Sequence, residues 1–256
     1  MTQKELDKLT NEETIAMLQD IDKNYSRLKL DIARPKYNSN GELTNEKEVK
    51  ASLKLILPIL LVLWARNIAI TTSNSVNIMN YTNQYFNVVR RGLKVPKTTI
   101  SVKEWTKIVD KAVKDRQKAV QIKQVINGNA RVLNKRVQNT VLQMYKDGKN
   151  YKQTAKELQR EFGYNKNKAK QIAITEKNYY KSEAQLQATK DLGVTKTWIH
   201  NKAKEPRETH LQADGQIADK SGYFHIGQYK TEAPQHFGIA SEDIYCHCTM
   251  KIEVKE

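Results

Sequence analysis

The chain has 256 residues and a formal net charge of +16, with 44 Lys and Arg against 28 Asp and Glu. That length suits one large or two modest domains, and 39% hydrophobic residues exclude wholesale disorder. Two cysteines exclude a disulfide-stapled secreted scaffold, and the opening MTQKELDKLTNEET lacks the basic and then apolar pattern of a signal peptide.

The front of the chain reads as helix. Asn11 with Glu12, Glu13 and Thr14 forms a helix start, with Ile15, Leu18 and Ile21 on one face. Asn38-Ser39-Asn40-Gly41 reads as a turn before a second helical pattern from about Glu46. Leu53–Trp64 is apolar almost all round, which predicts a buried helix kinked at Pro58. Its longest apolar run, Leu55–Ala65, falls short of the roughly 20 residues a bilayer span needs. Residues 67–89, rich in Asn, Thr, Ser and Tyr, have no clear type, and Gly92–Pro96 makes a break.

Residues 101–147 carry the clearest helical periodicity, through Trp105, Ile108, Val109, Ala112 and Val113, then Val132, Leu133, Val137, Val141 and Leu142. An interruption is expected at Asn127-Gly128-Asn129. Thr154–Phe162 predicts a short helix stopped by Gly163, and the next helix is expected from Asn165 to Leu192, ended by Gly193. Residues 151–176 have the outline of a helix-turn-helix, with an ordinary αα-hairpin the preferred reading.

After Gly193 the pattern changes. Val194–Ile199 alternates like a strand, glycines and prolines mark turns, and Ile244–Val254 alternates again, with Ile244, Cys246, Cys248, Met250 and Ile252 on one face. The expected fold is therefore α+β, a mostly α-helical N-terminal region with a small mixed α/β C-terminal domain. The boundaries are 1–165 for the basic helical region and 166–256 for the C-terminal domain. The latter divides into a connecting helix 166–192 and a small α/β unit 194–256.

Two compositional asymmetries bear on function. Residues 51–200 hold a surplus of +19, and no acidic residue lies between Glu48 and Glu104. Such a field attracts nucleic acid, an anionic surface or an acidic protein, although a Lys-rich solvated surface has the same composition. Arg90, Arg91, Lys94, Lys166, Lys168 and Lys170 are the candidate DNA contacts. Second, all five histidines and both cysteines fall in the last 57 residues.

His210 and Asp214 are four apart, so on a helix they share a face. Cys246 and Cys248, on a strand, point the same way about 7 Å apart. Zinc favours thiolate and imidazole in tetrahedral sets, so His210, Asp214, Cys246 and Cys248 form a candidate zinc site, with His225, His236 or His247 as substitutes. The competing reading places both thiols in the apolar core with no metal. A Cys nucleophile with a His base has its ingredients here too, but no recognisable protease motif surrounds them.

The order of Ile172-Ala173-Ile174-Thr175-Glu176, Gly193, Thr197-Trp198, Arg207-x-x-His210-x-x-x-Asp214-Gly215 and Cys246-His247-Cys248-Thr249 resembles the phage Mu F-like family of minor head proteins. The resemblance covers about residues 168–253. Thr175, Glu176, Arg207, His210, Asp214, Gly215, Cys246 and Cys248 match the family string. Ile174, Tyr245 and His247 stand where the family usually has Arg, Asn and Arg. Glu205 is the nearest match to an acidic residue common before Arg-x-x-His. The resemblance implies a minor head protein of a tailed phage or prophage, acting in head morphogenesis, DNA packaging or ejection, and the leading reading of the chain is non-enzymatic. It implies portal or other head proteins and double-stranded DNA as partners. It also implies a place in the virion head interior, with passage through the host cytoplasm during assembly. No small-molecule substrate and no appended enzyme domain are expected. The alternative is a metal-dependent nuclease or toxin-like hydrolase built on the C-terminal His/Asp/Cys cluster.

Overall fold

A computed structural model describes residues 1–32, 47, 53–54, 56–93, 99–149, 151–201 and 206–255. The expected turn at Asn38–Gly41, the helix start near Glu46, and the side chains of Lys94 and Glu205 lie outside the described residues. Among the described residues five long helices come first: α1 (Gln3–Ile32), α2 (Ile56–Gly92), α3 (Val102–Ala119), α4 (Ile122–Lys146) and α5 (Tyr151–Thr189). The tail follows as β1 (Val194–Ile199), α6 (Glu208–Gln212), β2 (Phe224–Ile226), β3 (Tyr229–Thr231), α7 (Ala240–Asp243) and β4 (Thr249–Val254). The fold is thus mostly α with a small α/β part at the C-terminal end.

Several expected helix breaks are absent. α4 runs straight through Asn127-Gly128-Asn129. One internal glycine costs only about 1 kcal/mol against alanine, and Ala130, Leu133, Val137 and Val141 bury one face of the helix. The chain breaks instead before α4, where Gln121 takes a left-handed φ of 48°. Gly163 does not stop a helix either, because α5 continues for 39 residues. Leu158, Phe162, Ala169 and Ala173 lie buried along it. The helix-turn-helix and αα-hairpin outlines therefore both give way to one continuous helix.

Residues 67–89 belong to α2, and Pro58 falls in its first turn. There the missing N–H is tolerated. The helix is not buried all round: Leu60, Leu63 and Trp64 are buried, while Ile59 and Val62 are exposed. Because α2 runs on for 37 residues, it is long and apolar enough by length and composition to cross a membrane. Its buried positions include the polar Asn67, Thr71 and Ser75, which suits a core helix of a folded chain. α1 starts at Gln3, earlier than expected, and buries Leu6, Thr10, Met17 and Ile21 while Ile15 is exposed.

The described residues form two compact units. One comprises residues 17–70 and 117–170. In it the Tyr25 hydroxyl donates to Asn165 Oδ1 at 3.0 Å, and Asp22 pairs with Lys166 at 3.1 Å and Lys170 at 2.7 Å. The other comprises residues 1–16, 71–116 and 171–256. Its helical core gathers Met79 and Phe86 from α2, Trp105, Val109 and Ala112 from α3, and Tyr180, Ala184 and Ala188 from α5. Trp105 donates its indole N–H to Asn80 Oδ1 at 3.1 Å.

The tail of this second unit is tied at its neck. β1 and β4 pair antiparallel from Val194↔Val254 to Ile199↔Thr249. β2 and β3 form a separate antiparallel hairpin. A second core lies beneath them, made of Trp198, Ala213, Phe224, Ile226, Ala233, Cys246, Cys248 and Met250. The last strand is shorter than expected. Ile244–Cys248 is not extended strand; Ile244 is 52% exposed while both cysteines and Met250 are buried.

Candidate metal centre

His210 reaches the tail core from α6, a helix of only five residues that starts after an extended Arg207. The shortness of α6 decides the fate of the expected His–Asp pair. The helix ends at Gln212, so Asp214 leaves the face that His210 occupies. Asp214 Oδ1 instead accepts the backbone N–H of His200 at 2.8 Å. Gly215, with φ at +79°, donates its N–H to the Trp198 carbonyl at 2.9 Å. These two motif residues therefore stitch α6 to the end of β1, and Asp214 drops out of the expected ligand set.

The two thiols come together because residues 244–248 turn rather than extend. Cys246 Sγ and Cys248 Sγ each lie 3.5 Å from the same nitrogen, His210 Nδ1. The three ligand atoms lie within 4.8 Å of one another, and all three residues are buried. A tetrahedral zinc about 2.3 Å from sulfur and about 2.0 Å from nitrogen sets S···N separations of about 3.5 Å. One imidazole lone pair accepts one hydrogen bond, so two sulfurs on a single nitrogen match a shared ion better than a pair of hydrogen bonds.

Side chains from α5 and the tail loops cradle this turn. Thr175 Oγ1 accepts the Tyr245 N–H at 2.8 Å. Asn178 donates to the Cys246 carbonyl at 2.8 Å, and Gln235 Nε2 donates to the carbonyls of Cys246 at 3.1 Å and Cys248 at 2.9 Å. Arg207 donates to the Ile244 carbonyl at 2.7 Å. Thr175 and Arg207 thus act on the backbone that presents the thiols.

The imidazole is fixed from three sides. Its Nε2 lies 3.0 Å from Glu242 Oε2. A carboxylate there favours a proton on Nε2, and in a metal-bound imidazole that leaves the Nδ1 lone pair for the ion. Phe237 stacks on the ring at 5.7 Å between centroids, and Trp198 meets it edge-on at 5.6 Å. Burial opposes the charged imidazole, but Cys246 and Glu242 outweigh it and raise the His210 pKa. Hydrogen bonding from Cys248 and then from His210 pulls the Cys246 thiol down to about 4, against its burial. The Cys248 thiol is pushed up by its anionic neighbour and by burial. One thiolate beside one thiol is the expected metal-free state of such a pair.

The remaining predicted residues are dispersed. His225 pairs with Asp219 at 2.8 Å on the surface, and His236 pairs with Glu183 at 3.0 Å. The His247 ring meets Tyr245 edge-on at 4.5 Å. Glu176 turns away from the thiols to a buried, two-bond pair with Arg116, at 2.8 and 2.9 Å. Arg90 is buried and bound to Asp191 and the Ala188 carbonyl, which removes it from any DNA surface. Lys166 and Lys170 are engaged by Asp22, whereas Arg91 and Lys168 are exposed. Glu242, Asn178, Gln235 and Phe237 were not singled out from the sequence. Their polar or aromatic types carry no periodic signal, and only the folded loops bring them to the site.

Residues 135–251 match the family model described as Phage Mu protein F like protein. This stretch is phage Mu F-like. The Mu F-like segment contains all three candidate ligands, the carboxylate behind His210 and the whole cradle of the cysteine turn. The chain is also 31% identical over 118 residues to the NAD(+)--arginine ADP-ribosyltransferase EFV of Enterococcus faecalis (strain ATCC 700802 / V583). That similarity covers 44% of this chain and 24% of the relative, so the chain spans about a quarter of that protein's length. No solved structure matches the chain significantly.

Tyr245, where the Mu F-like pattern usually has Asn, has φ at 56°. Left-handed backbone costs a side-chain-bearing residue about 1–2 kcal/mol, while Gly and Asn adopt it readily. Tyr245→Gly and Tyr245→Asn are expected to stabilise the tail by about 1 kcal/mol, read as a higher thermal midpoint. A lower midpoint for both would show that the Tyr245 ring contributes more than its backbone costs.

Proposed function

We propose that the chain is a minor head protein of a tailed phage or prophage that acts in head morphogenesis, with portal or other head proteins as its partners. It resides in the head interior of the virion and passes through the host cytoplasm during assembly. The match of residues 135–251 to the Mu F-like family carries this reading. Purified virions should contain the chain at low copy, protected from added protease until the heads are opened. Its absence from virions would overturn the proposal.

Zinc closes the tail in this reading, held by Cys246, Cys248 and His210. The support is the pair of 3.5 Å separations from one imidazole nitrogen, together with the Glu242 contact that sets the tautomer. Zinc supplies a cross-link between α6 and the cysteine turn, and its binding free energy adds to folding. The tail is small enough to need that help.

Contact with double-stranded DNA is sequence-independent in this reading. It rests on the surplus of +19 over residues 51–200, with Arg91 and Lys168 the exposed members of the candidate set. Lys103, Lys107, Lys111 and Lys114 are exposed on α3 as well. Affinity for unrelated duplexes should be equal, and it should fall steeply between two salt concentrations as phosphate contacts release counterions. No binding at low salt, or affinity insensitive to salt, would remove DNA from the partners.

A further inference from the structure

We infer that the zinc centre proposed above keeps its fourth coordination position open to an exogenous ligand of water or small-anion size. The inference rests on that zinc reading and deepens it. Tetrahedral coordination needs four donors, and the described residues gather three: His210, Cys246 and Cys248. The residue expected as the fourth, Asp214, is committed to the His200 N–H. Among the described residues, no other His, Cys, Asp or Glu joins the cluster.

The three donors do not close on a sealed core. They line a pocket together with His200, Asn201, Arg207 and His247. Its volume of about 20 Å³ is room for the metal-bound atom of one small ligand. Phe237 stacks on the imidazole and Trp198 meets it edge-on, and among the described residues the pocket is where the three donors are reached.

Charge favours a small anion there. Two thiolates cancel the charge of a divalent ion, and the Arg207 guanidinium then leaves the pocket wall positive. Asn201 stands on the same wall, its amide donating to the His247 carbonyl at 2.7 Å. A centre with three protein donors still cross-links α6 to the cysteine turn, and its fourth, exchangeable position leaves the ion able to bind an outside ligand as a Lewis acid does.

Cobalt spectroscopy tests this on the full chain. Zinc is exchanged for Co²⁺, and the visible ligand-field bands are followed as azide is added. The expected result is a tetrahedral cobalt spectrum that shifts along a saturable one-site curve. The His200→Ala/His247→Ala variant should give the same shift, because neither imidazole is a ligand. A cobalt spectrum that ignores azide in the wild type would overturn the inference while leaving the metal in place. So would a shift that appears only when the two histidines are removed. Failure to bind Co²⁺ at all would overturn the zinc reading itself, and the open position with it.

Discussion

Chelation is expected to lower the melting temperature of the tail by about 15–30 °C, and Cys246→Ser with Cys248→Ser should reproduce the loss in the absence of chelator. A ligand present at a thousand times its dissociation constant stabilises the folded state by about 4 kcal/mol. In a domain of this size each kcal/mol moves the midpoint by about 4–8 °C. The double variant loses both sulfur donors and leaves His210 alone, so its melting should be indifferent to chelator. Thiols that merely pack in a core behave differently. Their replacement costs about 1–3 kcal/mol for each hydroxyl buried without a partner, and the wild type melts identically with and without chelator. Calorimetry of both proteins, each with and without chelator, separates the two accounts.

Arg116→Ala is expected to destabilise the second compact unit by about 3–5 kcal/mol, the range for stripping one partner from a buried ion pair. Arg116 and Glu176 are each only 13% exposed in their side chains. The guanidinium also sits 4.1 Å above the Tyr179 ring, which in turn stacks on His236 at 4.4 Å. Removing Arg116 leaves Glu176 charged and buried with no cation beside it. Replacing both partners with apolar residues of similar volume, Arg116→Met with Glu176→Leu, should recover most of the loss. Urea unfolding of the two single variants and the double variant measures this. A cost for Arg116→Ala under 1 kcal/mol, with no recovery in the double variant, would show that the pair contributes little.

The sequence showed the helical front and the α/β tail through two signals of different period. Trp105, Val109 and Ala112 recur at helical spacing and are buried as expected, and Val194–Ile199 forms the predicted strand. Helix ends were harder to place. Gly128 and Gly163 look like stops, but a glycine stops a helix only when the flanking residues offer no face to bury, and here they do. Residues 67–89 hid their helix because its buried positions include Asn, Thr and Ser. Of the candidate site, His210, Cys246 and Cys248 were legible as residue types segregated in the tail. Their geometry was not. It depends on a left-handed Tyr245, an uncommon conformation for that residue, and on carbonyl contacts from Asn178 and Gln235. Asp214 was misplaced because the i, i+4 argument presumes a helix longer than the five residues of α6.

The neck of the tail has a mechanical consequence. Residues 193 and 255 meet at one end of the β1–β4 ladder, where the Lys255 N–H donates to the Gly193 carbonyl at 2.8 Å. Tension applied through residue 255 against α5 would therefore peel the ladder open pair by pair, beginning at Val194↔Val254, rather than shear all its bonds at once. Peeling is the weak direction of an antiparallel pair. The load reaches Cys248 only after the last pair, Ile199↔Thr249, has parted. A bound ion at that point would act as the clasp behind the zipper.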